Sequence, residues 1–448
     1  MFSKEESRIL RHEFWTSFGK SFPRKWILYD TKIKGFSFKF HFDTKQALVA
    51  LDLEDDLENR IKYWEKLQSL KTILKEDYLS EAVFEDIKEY LYTPSKIPST
   101  QQNHSIAQTR SFPQKKDVKN LKKLGFKVIK DNLGSMFAVK KSKTKNARKV
   151  MLAAHMDEVG FMVKHISSGG YIRFTTLGGW WDQVLLSQRV AIKTRKGDVI
   201  GVIGAKPPHL LSPEERNKVV VRKNMYIDIG ATSDKDVEKA GVRVGDPIVP
   251  VSEFTILANP KTYMCKAFDD RVGCGVVISA LSTLKKSHPN TLYGVATVQE
   301  EVGVRGATTS VDMVDPDIAI ILESDIAGDV PGIKPDESST KFAGGPSLLL
   351  YDARMIPNLK LRDLVIDTAK KNKIPLQFTT MEGGATDGSV IHLHKYGVPT
   401  VVLGVPSRHI HSHNSIIHRD DFDYTVKLLK AIIQKLDKKT VQEIKSFR

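Results

Sequence analysis

Two short apolar runs that each end abruptly on carboxylates constrain this chain more than any other feature. The stretch 295–329 reads VATVQEEVGVRGATTSVDMVDPDIAIILESDIAGD. Its first run reads as a buried strand and stops on Glu300-Glu301, and a Gly-rich turn follows. A second run, Ile318–Leu322, stops on Glu323, with Asp325 just beyond. Two strands that deliver carboxylates at their C-terminal tips suit the place where open α/β sheets bind ligands. Unpaired buried carboxylates are expensive, so adjacent glutamates in so apolar a setting need positive charge nearby. The alternative, a pair of solvated surface acids, fits poorly with so abrupt an arrival of charge.

At 448 residues the chain exceeds one ordinary domain, and its 41% apolar content supports real cores. No apolar stretch approaches the length of a membrane span, and the N-terminus MFSKEESRILRHEF lacks a secretory h-region. Two cysteines, Cys265 and Cys274, make no disulfide framework, so a cytoplasmic setting is expected. A net charge of +16 raises the question of nucleic acid. The lysines are spread along the whole chain among acids, without zinc-finger spacing or an acid-free basic helix, which argues against it.

Residues 1–95 read as a small α+β domain. Phe36, Phe38, Phe40 and Phe42 alternate with polar residues as on a strand, and Ala47–Leu53 is a second strand. Over Asp56–Leu74, Leu57, Ile61, Trp64, Leu67, Leu70 and Leu74 fall at helical spacing. The polar, Pro-bounded segment 96–116 is a linker. Asp117–Leu124 reads as a short helix, and Lys149–Ala154 as a buried strand running into His155-Met156-Asp157-Glu158. Residues 160–260 alternate short β-like runs with Gly-rich turns, which reads as a β-rich subdomain inserted into an α/β domain made of 117–159 and 261–448. The expected fold is therefore α/β, a mixed sheet flanked by helices with a β-rich insert, preceded by the small α+β unit.

Five segments each place an ionisable residue at a strand end or in a loop: His155, Asp269, Glu300-Glu301, Glu323 and His411. Two metal ions about 3.5–4 Å apart need a shared carboxylate and terminal nitrogen and oxygen ligands for each. A carboxylate outside the ligand set must then act as general base on the attacking water. Two histidines, one Asp, two Glu and one further Glu meet that requirement. His-x-Asp at 155–157 adds Asp157, placed to hold His155 in its ligating tautomer. Each piece alone is common by chance; together they are specific. His409 and His413, flanking His411, would share its face on a strand. Gly383-Gly384 suits either close backbone approach or a tight packing turn, and Trp180-Trp181 suits packing within the insert.

Residues from about 118 to the C-terminus resemble the dinuclear metallopeptidase family of glutamyl, deblocking and tetrahedral-assembly aminopeptidases, some of whose members are labelled cellulases. The motifs are AAHMDEVGFMV at 153–163, KAFDDRVG at 266–273, VQEEVGVRGA at 298–307, ILESDIAGDVPG at 321–332, EGGATDG at 382–388 and RHIHSH at 408–413. Carried over motif by motif, the resemblance implies His155 and Glu323 as terminal metal ligands, Asp269 as the bridge, and Glu301 and His411 as the remaining ligands. It implies Glu300 as general base and Asp157 as the residue that orients His155. It further implies a zinc-exopeptidase-like fold and two divalent metal ions, zinc first, with cobalt or manganese as alternatives. Peptide substrates and a homo-oligomer as large as a dodecamer follow from it, with the insert making the oligomer contacts. Residues 1–95, including FWTSFGKSFPRKW at 14–26, resemble a small bacterial domain of unknown function.

Two features depart from the family pattern. The helical segment with a Ser-Gly-x-Glu turn that usually opens such enzymes is largely absent, and the extra domain and linker stand in its place. Many relatives carry Asp where this chain has Glu323, which makes Asp325 and Asp329 rivals for that ligand role. The expected activity is hydrolysis of N-terminal residues from peptides. The alternatives are a related metal-dependent deacylase or glycan hydrolase, or a catalytically impaired fusion protein. Glycosidases ordinarily work with two opposed carboxylates and no metal, whereas the His and Asp count here favours metals. A purely structural metal site would leave Glu300 without a role.

Overall fold

The computed structural model describes residues 27–33, 36–43, 46–53, 122–123, 125–284 and 288–446. The chain divides into two compact units, Met1–Ala82 and Val83–Arg448. In the first, β1 (Ile27–Ile33), β2 (Phe36–Asp43) and β3 (Gln46–Leu53) form an antiparallel sheet. Phe36 stands opposite Ile33 and Phe38 opposite Leu53. The alternating phenylalanines lie on β2, and β1 adds a strand to the expected pair. The helix expected over Asp56–Leu74 and the linker at 96–116 lie outside the described residues, as does most of the helix expected at Asp117–Leu124.

The second unit begins its sheet with β4 (Lys127–Lys130), β5 (Met136–Lys140) and β6 (Lys149–His155). The chain then leaves the sheet to form a closed barrel of six strands: β7 (Gly160–Ile166), β8 (Ile172–Leu177), β9 (Arg189–Thr194), β10 (Gly197–Gly204), β11 (Tyr226–Asp228) and β12 (Pro247–Pro250). The barrel fills its own interior with Phe161, Ile172, Ile192, Ile203 and Ile227. Trp180 stacks on Phe161 at 4.7 Å and its indole N–H donates to the Gly160 carbonyl, whereas Trp181 is 62% exposed. The tryptophan pair therefore splits between core and surface.

On returning, the chain adds β13 (Thr255–Ile256), β14 (Thr262–Cys265), β15 (Thr291–Thr297), β16 (Ile318–Ile326), β17 (Ser347–Asp352), β18 (Gln377–Met381), β19 (Thr400–Arg408) and β20 (Ser415–His418). The helices that matter here are α1 (Phe268–Ser282), α2 (Arg305–Val314), α3 (Leu359–Lys371) and α4 (Arg419–Lys435). The strand order is β13-β14-β20-β19-β16-β6-β15-β5-β4, with β17 pairing β19 and β18 pairing β17.

Residues 150–154 of β6 and 318–322 of β16 are apolar at every position because both faces are covered. Val150, Leu152, Ile318 and Ile320 join Val272 and Val276 of α1 and Leu428 and Ile432 of α4 in one core. Met151, Ala153, Ala319 and Ile321 join Val311 and Val314 of α2 in the other. β15 and β16 both run parallel to β6, on opposite sides of it. The passage from β15 through α2 to β16 thus crosses β6, and such a reversal of strand order opens a crevice at the carboxyl ends. α2 sits close enough to shape that crevice: a Cβ on Gly306 would lie 2.5 Å from Val298 N, in the segment leading to Glu300.

Strand ends differ from the sequence expectation in one important respect. β16 pairs with β6 only from Ile318 to Ile321, but with β19 as far as Ile326. The strand therefore continues past Leu322 and carries Glu323 and Asp325 along its free edge above β6. Among the described residues, no helix is long and apolar enough to cross a membrane.

Candidate metal centre

The acids and histidines singled out in the sequence converge on this crevice. His155 closes β6, Asp269 stands in the first turn of α1, Glu300 and Glu301 follow β15, Glu323 lies on β16, and His411 lies in the turn after β19. Alternation along the strands puts His155 and Glu323 on the same sheet face as Ala153 and Ile321.

Asp269 is the centre of the group. Its Oδ1 is 3.1 Å from His155 Nε2 and its Oδ2 is 3.1 Å from His411 Nε2. Glu323 Oε1 and Glu300 Oε2 stand 3.6 and 3.8 Å from the same His155 nitrogen, and Glu301 Oε2 stands 3.5 Å from His411 Nε2. His155, Asp269 and Glu301 offer ligand atoms within 4.8 Å of one another, as do His155, Asp270 and Glu323. Asp270, however, is engaged elsewhere. Its Oδ2 accepts the His155 main-chain N–H at 3.1 Å and its Oδ1 accepts that of Gly273 at 3.0 Å. Wholly buried, it fastens the tip of β6 to the start of α1. The carboxylate turned toward both imidazoles is that of Asp269.

The imidazoles are oriented by carbonyls. His155 Nδ1 donates to the main-chain oxygen of Asp157 at 3.0 Å, and His411 Nδ1 to that of Gly179 at 2.8 Å. Both Nε2 atoms are thereby left facing the carboxylates, the arrangement a ligating histidine needs. The Asp157 carboxylate lies farther from His155, at 3.8 Å, and accepts instead the N–H groups of Glu300 and Glu301 at 3.2 and 3.3 Å. Asp157 thus orients His155 through its backbone and clamps the two glutamates through its side chain.

Several contributors carried no sequence signal of their own role. Gly178-Gly179, a turn of the barrel segment, abuts the centre: a Cβ on Gly178 would lie 3.1 Å from Glu301 Oε2, and one on Gly179 would lie 3.2 Å from His411 Nδ1. Asp387, in the Thr-Asp-Gly of the fifth motif, is fully buried and accepts a hydrogen bond from Thr297 at the end of β15. Gly384 turns its carbonyl to the Ala353 N–H, so this turn packs as well as lining the cleft. His409 and His411 both have positive φ, which breaks the strand alternation expected there. His409 is exposed, while His413 is buried against Trp180.

Burial dominates the electrostatics. It pushes Glu301 and Glu323 upward, and Glu300 well above the ordinary carboxylate range, with Asp269 adding to the first two and Glu323 and Asp387 to the third. Burial also raises Asp387. Asp269 alone of the cluster is held low, because hydrogen bonds from His155 and His411 outweigh its burial. Both imidazoles are raised against their own burial, His155 chiefly by Glu323 and Asp269, His411 chiefly by Asp269 and Glu301. The nearby cations Lys266 and Arg271 both pair with buried Glu158. Glu301 Oε1 is buried without a hydrogen-bond partner. An acid-rich pocket with an orphaned carboxylate oxygen and two imidazole Nε2 atoms turned to one carboxylate fits divalent cations. It opens into a cleft of about 1200 Å³ lined by Glu300, Glu301, Glu323 and His411.

Residues 134–428 match the M42 glutamyl aminopeptidase family, and residues 10–114 match a domain of unknown function, DUF4268. The putative aminopeptidase FrvX of Escherichia coli K12 is 42% identical over 71% of this chain and 88% of its own length. The TET aminopeptidase of the marine-sediment archaeon Thaumarchaeota archaeon SCGC AB-539-E09 superposes with a TM-score of 0.74 at 45% identity, over 82% of this chain and 99% of that one. The TET1 peptidase of Pyrococcus horikoshii, which can assemble into a tetrahedron or a large octahedral shell, superposes with a TM-score of 0.66 at 28% identity, over 79% of this chain and 100% of that one.

The different duties of the adjacent aspartates can be tested without metal. Asp270→Ala strands two buried N–H groups, at about 1–3 kcal/mol each, so it should lower unfolding free energy in urea with EDTA by roughly 2–6 kcal/mol. Asp269→Ala removes instead the carboxylate that both imidazoles face, so in EDTA it should lower the His411 pKa in an NMR titration, whereas Asp270→Ala should leave that pKa in place. An equal fall of the His411 pKa in both variants would contradict the assignment.

Proposed function

This chain belongs to the M42 glutamyl aminopeptidase family, and on that premise we propose that it removes N-terminal residues from peptides using two divalent ions held at the crevice of β6, β15 and β16. The observation that carries the reading is Asp269, whose two carboxylate oxygens each face a different imidazole. In this reading His155 and Glu323 would hold one ion and Glu301 and His411 the other, with Asp269 as the carboxylate shared between them. The mixed histidine and carboxylate ligands suit zinc, with cobalt or manganese as substitutes. When bound, the ions supply Lewis-acid polarisation of the scissile carbonyl and lower the pKa of the attacking water.

Glu300 is left over from this ligand set. It takes the proton of the attacking water and returns it to the leaving amine, the work of a general base and then acid. Its own backbone is fixed by Asp157, so base and neighbouring ligand keep one geometry. Asp157 acts in this scheme as a positioning residue. The cleft admits the peptide beside Glu300 and Glu301.

The barrel is proposed to mediate a homo-oligomer, with a dodecamer as the size. What supports this is the barrel's exposed apolar surface, including Trp181, Ile200, Val202 and Val244, and the shells formed by the Pyrococcus horikoshii relative. Isolated exposed apolar residues are ordinary, but several on one small barrel mark a contact surface.

Glu300→Gln should retain the metal content of the parent while kcat on an aminoacyl-p-nitroanilide falls at least about a hundredfold. Glu301→Gln should lose metal. Equal metal loss in both variants would make Glu300 a ligand and remove it as the base. Light scattering should find an oligomer for the full chain and for a chain starting at Lys115; monomers from both would reject the assembly.

A further inference from the structure

The cleft beside the centre holds more negative charge than the metal ligands account for. Beyond Glu300, Glu301 and Glu323, its lining carries Asp325, Asp336, Glu337 and Glu382, against one arginine, Arg354. Asp336, Glu337, Glu382 and Arg354 are exposed, at the mouth, whereas Asp325 is recessed. Alternation along β16 brings Asp325 out on the same face as Glu323, two residues further on. Two residues of strand advance the backbone by roughly 6.6 Å, comparable to the reach of lysine's four-carbon stem.

The surroundings of Asp325 are those of a binding group rather than a solvated acid. Thr340 donates its hydroxyl to Oδ2 at 3.1 Å and Ile326 donates its N–H to Oδ1 at 2.9 Å. These fix the carboxylate at the floor of the cleft, and the Ser347 and Thr379 hydroxyls also bear on it. Beside it, Ser347 is wholly buried yet lines the cleft, and its hydroxyl makes no hydrogen bond of sound geometry. Gly404 lets β19 pack closely against this floor, because a Cβ there would lie 2.7 Å from Asp325 Cβ and would also strike Ser347 Oγ. Leu349, Met381 and Val402 supply apolar lining. Apolar lining with an acid at the floor matches a side chain that buries its stem and carries its charge at the tip.

We infer that this cleft receives the side chain of the substrate's first residue and selects lysine or arginine there, with Asp325 meeting the cationic head. The inference rests on the aminopeptidase reading above. A glutamyl or aspartyl residue would bring like charge against Asp325 and the acids at the mouth, the repulsive element that specificity requires. An uncharged side chain would desolvate Asp325 without replacing the lost hydrogen bonds.

The test uses the metal-loaded full chain and kcat/KM for the p-nitroanilides of lysine, arginine, norleucine, leucine and glutamate. Norleucine has the length of lysine without its charge. Lysine and arginine should exceed norleucine by at least about tenfold and glutamate by at least about a hundredfold. Asp325→Asn should bring the lysine-to-norleucine ratio down to within about threefold. The comparison within the parent protein stands even if that variant folds poorly. Preference for glutamate, equal rates for lysine and norleucine, or a variant that keeps the parent's ratio would each overturn the inference. Hydrolysis of none of the five would overturn the aminopeptidase reading, and the inference with it.

Discussion

The carboxylate of Asp269, set between two imidazoles at 3.1 Å each, is the contact on which the rest of the centre depends. It joins parts of the chain that are far apart in sequence: the tip of β6, the first turn of α1 and the turn after β19. Each partner is fixed from behind. Asp270 ties the His155 backbone to α1, and the Gly179 carbonyl of the barrel segment holds His411. Because β15 and β16 flank β6 on opposite sides, Glu300 and Glu323 reach His155 from two directions, and Glu301 reaches His411. The sheet's strand order thus decides where the charges gather.

That gathering is unfavourable for the protein alone. Burial and mutual repulsion raise Glu300, Glu301 and Glu323, and the nearest lysine and arginine are engaged by Glu158. Buried acids without partners cost several kcal/mol each in stability, so a fold that keeps them needs a cation that pairs with several at once. The two divalent ions proposed above would meet that need, and the proposed ligand set would leave Glu300 free for proton transfer. The clamp from Asp157 to both glutamate N–H groups gives the two neighbouring carboxylates a common support.

Much of this was legible in the sequence because the chemistry sits in short local patterns. Apolar runs leading to Glu300-Glu301, Glu323 and His155 gave away β15, β16 and β6, although β15 stops at Thr297 and β16 runs on past Glu323. What was not legible depends on contacts between distant segments. Nothing local says that β16 continues to Ile326; its pairing with β19 as far as Ser407 decides that, and with it the position of Asp325. That Asp157 orients His155 through its carbonyl and not its carboxylate is not legible either, because it depends on how the turn at 155–157 folds. Gly178 and Gly179 look like ordinary turn residues until the barrel segment brings them against Glu301 and His411.

The central claim, that Asp269 bridges two ions, is tested most directly by anomalous X-ray diffraction at the zinc edge from crystals of the zinc-loaded protein. The account predicts two peaks in each chain, one between His155 and Asp269 Oδ1 and one between His411 and Asp269 Oδ2. A single peak, or density centred on Asp270 with Asp269 turned away, would contradict it.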